Sequence, residues 1–202
     1  LSKRSNKYTR YSLVLIFFVL QLSSFQTIAN DEDIWNDVKA GNSFVILRHA
    51  LAPGTGDPEN FDLTQCNTQR NLSAEGTQQA KRIGETLKAH GIDDAAVYSS
   101  QWCRCIDTAN AMNIKKPEAL PLLNSFYENR ERGPAQTQEL LQWLKTLDTH
   151  KPVILVTHQV VISALTGVFP ASGEAVVFTL NEDTNRTDGE VRVDVVHRML
   201  VR

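Results

Sequence analysis

Cysteine and methionine are scarce in this chain, 3 and 2 among 202 residues, and no two cysteines stand as C-x-x-C. No His/Cys cluster has zinc-site spacing, so a metal-held fold is not expected. Heptad runs, low-complexity tracts and internal repeats are lacking, which excludes coiled coils and solenoids. No apolar run reaches the roughly twenty residues that a bilayer-spanning helix requires. A basic stripe is missing too: Lys+Arg 21 against Asp+Glu 23 gives a formal net charge of −2. Such a balance does not gather nucleic acid, and no nucleic-acid partner is expected.

The first thirty residues differ from the rest. Lys3, Arg4, Lys7 and Arg10 come without any acid, and the apolar run YSLVLIFFVLQLSSF follows. Thr27-Ile28-Ala29 then supplies small residues in the A-x-A manner. This order is that of a secretory signal peptide over residues 1–29, with cleavage expected after Ala29, and it predicts a periplasmic or secreted protein. Without those four cations, 17 basic residues face 23 acidic ones, a formal net charge of −6. The remaining stretch, residues 30–202, is long enough for one domain with a sizeable core. An exported domain can keep a disulfide. Cys66, Cys103 and Cys105 allow one bridge and leave one thiol. Since Cys103 and Cys105 are two apart, only one of them can face Cys66.

Phe44–Leu47 (FVIL) and Val153–Val156 (VILV) are short and wholly apolar, as strands buried on both faces are. Ala96–Tyr98 reads as a further strand, and Val176–Leu180 and Val191–Val196 as closing ones. Between them lie helical stretches. One is capped by Ser73, carries Ala80, Ile83 and Leu87 on one face and ends before Gly91. Another runs from about Trp102 to Met112. A third opens at Pro134 with Leu140, Leu141, Leu144 and Leu147 on one side, and a fourth covers Val160–Thr166. This alternation predicts an α/β fold, a three-layer α/β/α sandwich with a mostly parallel central sheet.

In such folds ligands bind beyond the carboxyl ends of the strands. Arg48-His49 follows FVIL, the segment from Ser99 to Arg104 follows AVY, and His158 follows VILV. Two arginines there favour a tetrahedral oxyanion, because the planar guanidinium meets phosphate in a bidentate way. An imidazole among cations is kept neutral and can act as a nucleophile. The second imidazole can donate to oxygens that gain charge. A single strand-end histidine is usually structural; two of them with two arginines point to an anion site.

Four blocks in order carry a family resemblance: LRHA at Leu47–Ala50, RNLSAEGTQQA at Arg70–Ala80, YSSQWCRCIDTA at Tyr98–Ala109 and VTHQ at Val156–Gln159. Together they resemble the histidine phosphatase (phosphoglycerate mutase-like) superfamily, with alanine at position 50 where glycine is usual. The resemblance implies a phosphomonoesterase with no cofactor and no metal. It implies that His49 becomes a phosphohistidine while Arg48, Arg104 and His158 complete the phosphate pocket. Thr55 falls where family members place a further phosphate contact, and Gln159 adds a donor beside His158. Export and the RHA variant look like the members related to the lipopolysaccharide core heptose phosphate phosphatase. The expected ligand is therefore a small phosphate ester, a lipopolysaccharide core sugar phosphate among the candidates.

The sequence departs from the pattern at the general acid. In ALPLLNSFYENRERG, Asn124 stands where many members carry a glutamate. A poor leaving group still needs a proton. Glu128 is the first candidate, Asp57 the second and Glu131 the third. The alternative reading is a protein that keeps the pocket, binds phosphate or a sugar phosphate and has lost turnover.

Overall fold

The computed structural model describes residues 31–147, 150–182 and 191–201. The expected signal peptide lies outside the described residues. Among them, no helix is long and apolar enough to cross a membrane.

Six strands form one sheet in the order β3-β2-β4-β1-β5-β6. They are β1 (Phe44–Arg48), β2 (Ala96–Ser99), β3 (Glu118–Ala119), β4 (Val153–Thr157), β5 (Glu174–Glu182) and β6 (Val191–Leu200). The pairs β1/β4, β2/β4 and β2/β3 are parallel, whereas β1/β5 and β5/β6 are antiparallel. The mostly parallel sheet is as expected, and the structure adds an antiparallel flank of β5 and β6. The helices are α1 (Asp31–Lys39), α2 (Ala74–Ala89), α3 (Cys103–Met112), α4 (Gly133–Lys145) and α5 (Gln159–Thr166).

Strand alternation divides the interior into two cores. Val45, Leu47, Ile154 and Val156 face Ile83 and Leu87 of α2 and Ala109 and Met112 of α3. Their neighbours Phe44, Ile46 and Leu155 face Leu140 and Leu144 of α4 and Ile162 of α5. Both faces of β1 and β4 are therefore covered, which is why FVIL and VILV carry no polar residue.

Ser73 caps α2 as expected, its Oγ accepting from the Gly76 amide at 3.0 Å. Two glycines of α2 are sites of close approach. A Cβ on Gly76 would overlap the carbonyl of Leu51, and one on Gly84 would overlap the carbonyl of Met112 at the end of α3. The first contact seats the loop after β1; the second sets the spacing between α2 and α3.

Three differences from the sequence reading have local causes. Helix α1 is short and acidic in its first turn, and only Ile34, Trp35 and Val38 reveal its buried face. Strand β3 has two exposed residues and no apolar run to betray it. Strands β5 and β6 extend beyond the apolar cores read from the sequence, because mutual backbone pairing carries them through polar positions such as Asn181, His197 and Arg198.

Candidate active site

Parallel pairing brings three strand ends together. Arg48 is level with Thr157, and Ser99 with Val156. The residues just beyond, His49, Ser100 and His158, are 2%, 0% and 4% exposed, so the site begins inside the protein. Backbone bonds hold the first two: the His49 amide donates to Thr157 O and the Ser100 amide to Val156 O, both at 2.9 Å. A cavity of about 690 Å³ opens over them.

The state of His49 follows from its partner. Its Nδ1 lies 2.8 Å from the carbonyl oxygen of Ala50. A carbonyl only accepts, so Nδ1 carries the proton and Nε2 keeps its lone pair. Burial is the main cause that drives the imidazole pKa down to about 3. The bond to Ala50 opposes that fall, and Arg104, Arg48 and Arg70 add to it. The ring is neutral at ordinary pH, chiefly through desolvation rather than through the arginines that the sequence suggested.

His158 lies edge-on to His49, with ring centroids 5.6 Å apart. Burial, then His49 and the arginines, hold it well below its ordinary pKa. Its tautomer is traced through Asn124. The Gln101 amide donates to Asn124 Oδ1 at 2.9 Å, and Asn124 Nδ2 donates to Gln101 Oε1 at 2.8 Å, which fixes the side-chain amide. Asn124 Oδ1 also receives the Ser100 hydroxyl at 3.2 Å. Ser100 Oγ is then the acceptor for His158 Nε2–H at 2.9 Å. The lone pair of Nδ1 faces Arg104 Nη2 at 3.5 Å. In this arrangement His158 accepts from the arginine, and it lines the cavity as the sequence suggested. Asn124, read as a missing acid, anchors this chain.

Arg104, 3% exposed, also differs from expectation. Its fork is engaged by Asp57, with Nη1 2.7 Å from Oδ1 and Nη2 3.1 Å from Oδ2. Asp57 accepts further bonds at 3.0 Å from the Arg70 amide and from Trp102 Nε1. Burial opposes ionisation at Asp57, but these donors outweigh it, and the carboxyl stays below its ordinary pKa. An ionised carboxylate held by three groups is a poor proton donor, so Asp57 is withdrawn as a candidate acid.

Arg48 donates Nη1 to Pro170 O at 2.9 Å. Arg70, absent from the sequence-derived site, lines the cavity beside Arg48 and Arg104. Its Nε donates to Gly56 O at 2.7 Å and its Nη1 to Ala52 O. The available signal was its place in the loop just ahead of the Ser73 cap, next to the buried Gln69. Thr55, Glu128 and Gln159 also line the cavity, as does Glu59, while Glu131 does not. Glu128 projects toward the opposite loop: its Oε1 is 3.5 Å from where a Cβ on Gly56 would stand. The α5 N-terminus, with Gln159 and Val160, faces the cavity and adds a partial positive charge.

Cys66 pairs with Cys103, not Cys105, with Cα atoms 5.6 Å apart. The bond ties the long loop to the residue before Arg104. Cys105 is a buried free thiol, its pKa pushed up to about 12 mainly by burial.

The fold and site thus define an α/β sandwich with an arginine-lined cavity around a neutral histidine. Residues 44–129 match the histidine phosphatase superfamily (branch 1). A 2,3-bisphosphoglycerate-dependent phosphoglycerate mutase of Corynebacterium diphtheriae is 31% identical over 96 residues, 41% of this chain. The match spans only 39% of that relative's length. Solved structures resemble the fold over more of the chain. The protein histidine phosphatase SixA with tungstate gives a TM-score of 0.56 at 17% identity, covering 78% of this chain and 96% of that one. A mycobacterial glucosyl-3-phosphoglycerate phosphatase with VO3 gives 0.54 at 16%, covering 76% and 98%. At such identities the likeness is one of fold.

Proposed function

We propose that the protein is a metal-independent phosphomonoesterase that works through a phosphohistidine on a small phosphate ester outside the cytoplasm. The observation that carries this reading is the Nδ1–H bond to Ala50, which leaves the neutral His49 with its lone pair on Nε2. Nε2 attacks phosphorus in line, the P–N bond forms and the ester P–O bond breaks. The leaving oxygen takes a proton from Glu128, the cavity-lining carboxyl retained from the sequence candidates. Water, deprotonated by the same carboxylate, then attacks phosphorus; the P–N bond breaks and phosphate departs. Arg48, Arg70 and Arg104 balance the phosphoryl charge.

A cavity of about 690 Å³ is far larger than one phosphate ion, and Phe61, Trp102 and Tyr127 line it. Aromatic walls beside carboxylates suit a sugar or polyol as the alcohol half. A core-sugar phosphate of lipopolysaccharide is one such ligand. The tungstate and VO3 bound by the neighbours are oxyanions too. Export rests on the composition of residues 1–29.

The second reading, a binding protein without turnover, is favoured by Asn124 at the expected acid position. One experiment separates the two: hydrolysis of 4-nitrophenyl phosphate in EDTA by wild type and His49→Ala, beside calorimetric binding of inorganic phosphate. Hydrolysis lost only in the mutant supports the enzyme. Equal rates in both proteins refute the role of His49, and binding without hydrolysis of any monoester favours the second reading.

A further inference from the structure

We propose that Asp57 is a built-in competitor for the anion site: its carboxylate occupies the Arg104 fork and has to be displaced when a phosphoryl group binds. The inference rests on the phosphate-binding reading of the pocket and adds a residue that sets its selectivity. Every Nη bond of Arg104 is spoken for. Nη1 serves Asp57 and the Arg70 carbonyl, and Nη2 serves Asp57 and His158. A carboxylate and two phosphoryl oxygens offer the same planar fork the same pair of acceptors, so one excludes the other.

The surroundings suit an exchangeable ligand. The Asp57 side chain is 14% exposed against 4% for Arg104, and both residues line the cavity. It belongs to a loop with glycine at positions 54 and 56, whose φ of +94° and +69° are conformations that favour glycine. The Cys66–Cys103 bond anchors the far end of this loop beside Arg104, so a withdrawn Asp57 stays near and can return. Return would help expel product. A weakly charged or singly bonded anion cannot repay the lost ion pair, whereas a phosphate monoester dianion can.

Trp102 supplies a direct reporter, since its Nε1–H donates to Asp57 Oδ2 at 3.0 Å. The test is titration of inorganic phosphate into wild type, Asp57→Asn and Asp57→Ala, by calorimetry and by the Trp102 indole N–H resonance. Thermal melts confirm folding. Both variants should bind phosphate more tightly, by about tenfold or more, as expected for removing a like charge within a few ångströms. The wild-type indole resonance should shift on saturation and should begin shifted in both variants. With an aryl phosphate, KM and kcat should fall together as release of product slows. A purely structural Asp57 predicts the reverse, weaker phosphate binding in both variants. That result, or an indole resonance unmoved by saturating phosphate, overturns the proposal. If the variants do not fold, the wild-type resonance alone decides. Phosphate binding with these signatures but without turnover would sink the hydrolase and leave Asp57 as competitor; no phosphate binding by any of the three proteins overturns both.

Discussion

His49 donates Nδ1–H to the carbonyl of its own neighbour, Ala50, at 2.8 Å. The Nε2 lone pair of the ring is thus set by the backbone and needs no partner carboxylate. His49→Ala should lower kcat by about 10⁴-fold or more, as loss of a nucleophile does. Quenching wild type with labelled substrate should trap an acid-labile, alkali-stable phosphoamidate at His49. A trapped label on any other residue would contradict the assignment.

Asn124 reaches His158 only through Ser100, so both are positioning residues. Ser100→Ala and Asn124→Leu should each reduce kcat by about tenfold with KM little changed, through loss of one or two oriented hydrogen bonds. The ¹⁵N shifts of the His158 ring should show Nε2 protonated in wild type and a mixture of tautomers in Ser100→Ala. An unchanged tautomer in the mutant would remove the proposed link.

Glu128 should matter most where the leaving group is poor. Glu128→Gln should slow an alkyl phosphate by about 10²-fold and 4-nitrophenyl phosphate by only a few-fold. Equal losses on both substrates would make it a binding residue rather than an acid.

The two buried imidazoles also govern stability in acid. Unfolded, each takes a proton below about pH 6.5; folded, both remain neutral, His49 down to about 3 and His158 through burial. The unfolded chain then binds more protons. The stability they contribute is complete above about pH 6.5 and is lost as pH falls toward the folded values. His49 alone gives a slope approaching about 1.4 kcal/mol per pH unit near pH 5, and His158 adds to it in the same direction. Urea denaturation from pH 7.5 to 4.5 measures it, and His158→Gln should flatten the profile. A wild-type profile independent of pH would contradict the buried neutral rings.

Cys66 and Cys103 are 37 residues apart, and a loop of that length is worth about 4 kcal/mol in the chain-entropy account. Reduction, or Cys66→Ser, should lower Tm by about 8–16 °C for a domain of this size. Native protein should leave Cys105 unlabelled by iodoacetamide. Labelling before unfolding would show that its burial is incomplete.

The sheet was legible because doubly covered strands leave no room for polar side chains, so FVIL and VILV announce themselves. Their ends placed Arg48, His49 and His158 together, since parallel neighbours end at one edge whatever their distance in sequence. The partnerships were not legible. Asp57 and Arg104 are 47 residues apart, and Asn124 reaches Ser100 across 24. No periodicity links a loop carboxylate to one particular arginine. Arg70 was missed for the same reason: its role depends on how the loop folds back over Gly56 and Ala52.

The bare Cα of Gly84 works as a gauge for the pocket from outside it. Any side chain there meets the Met112 carbonyl and must push α3 outward. Helix α3 carries Arg104 near its first turn and Cys103 ahead of it. A methyl group added between two outer helices is therefore a machining error transmitted to Arg104 and the cavity it lines. Its mark in an enzyme assay would precede any loss of the fold.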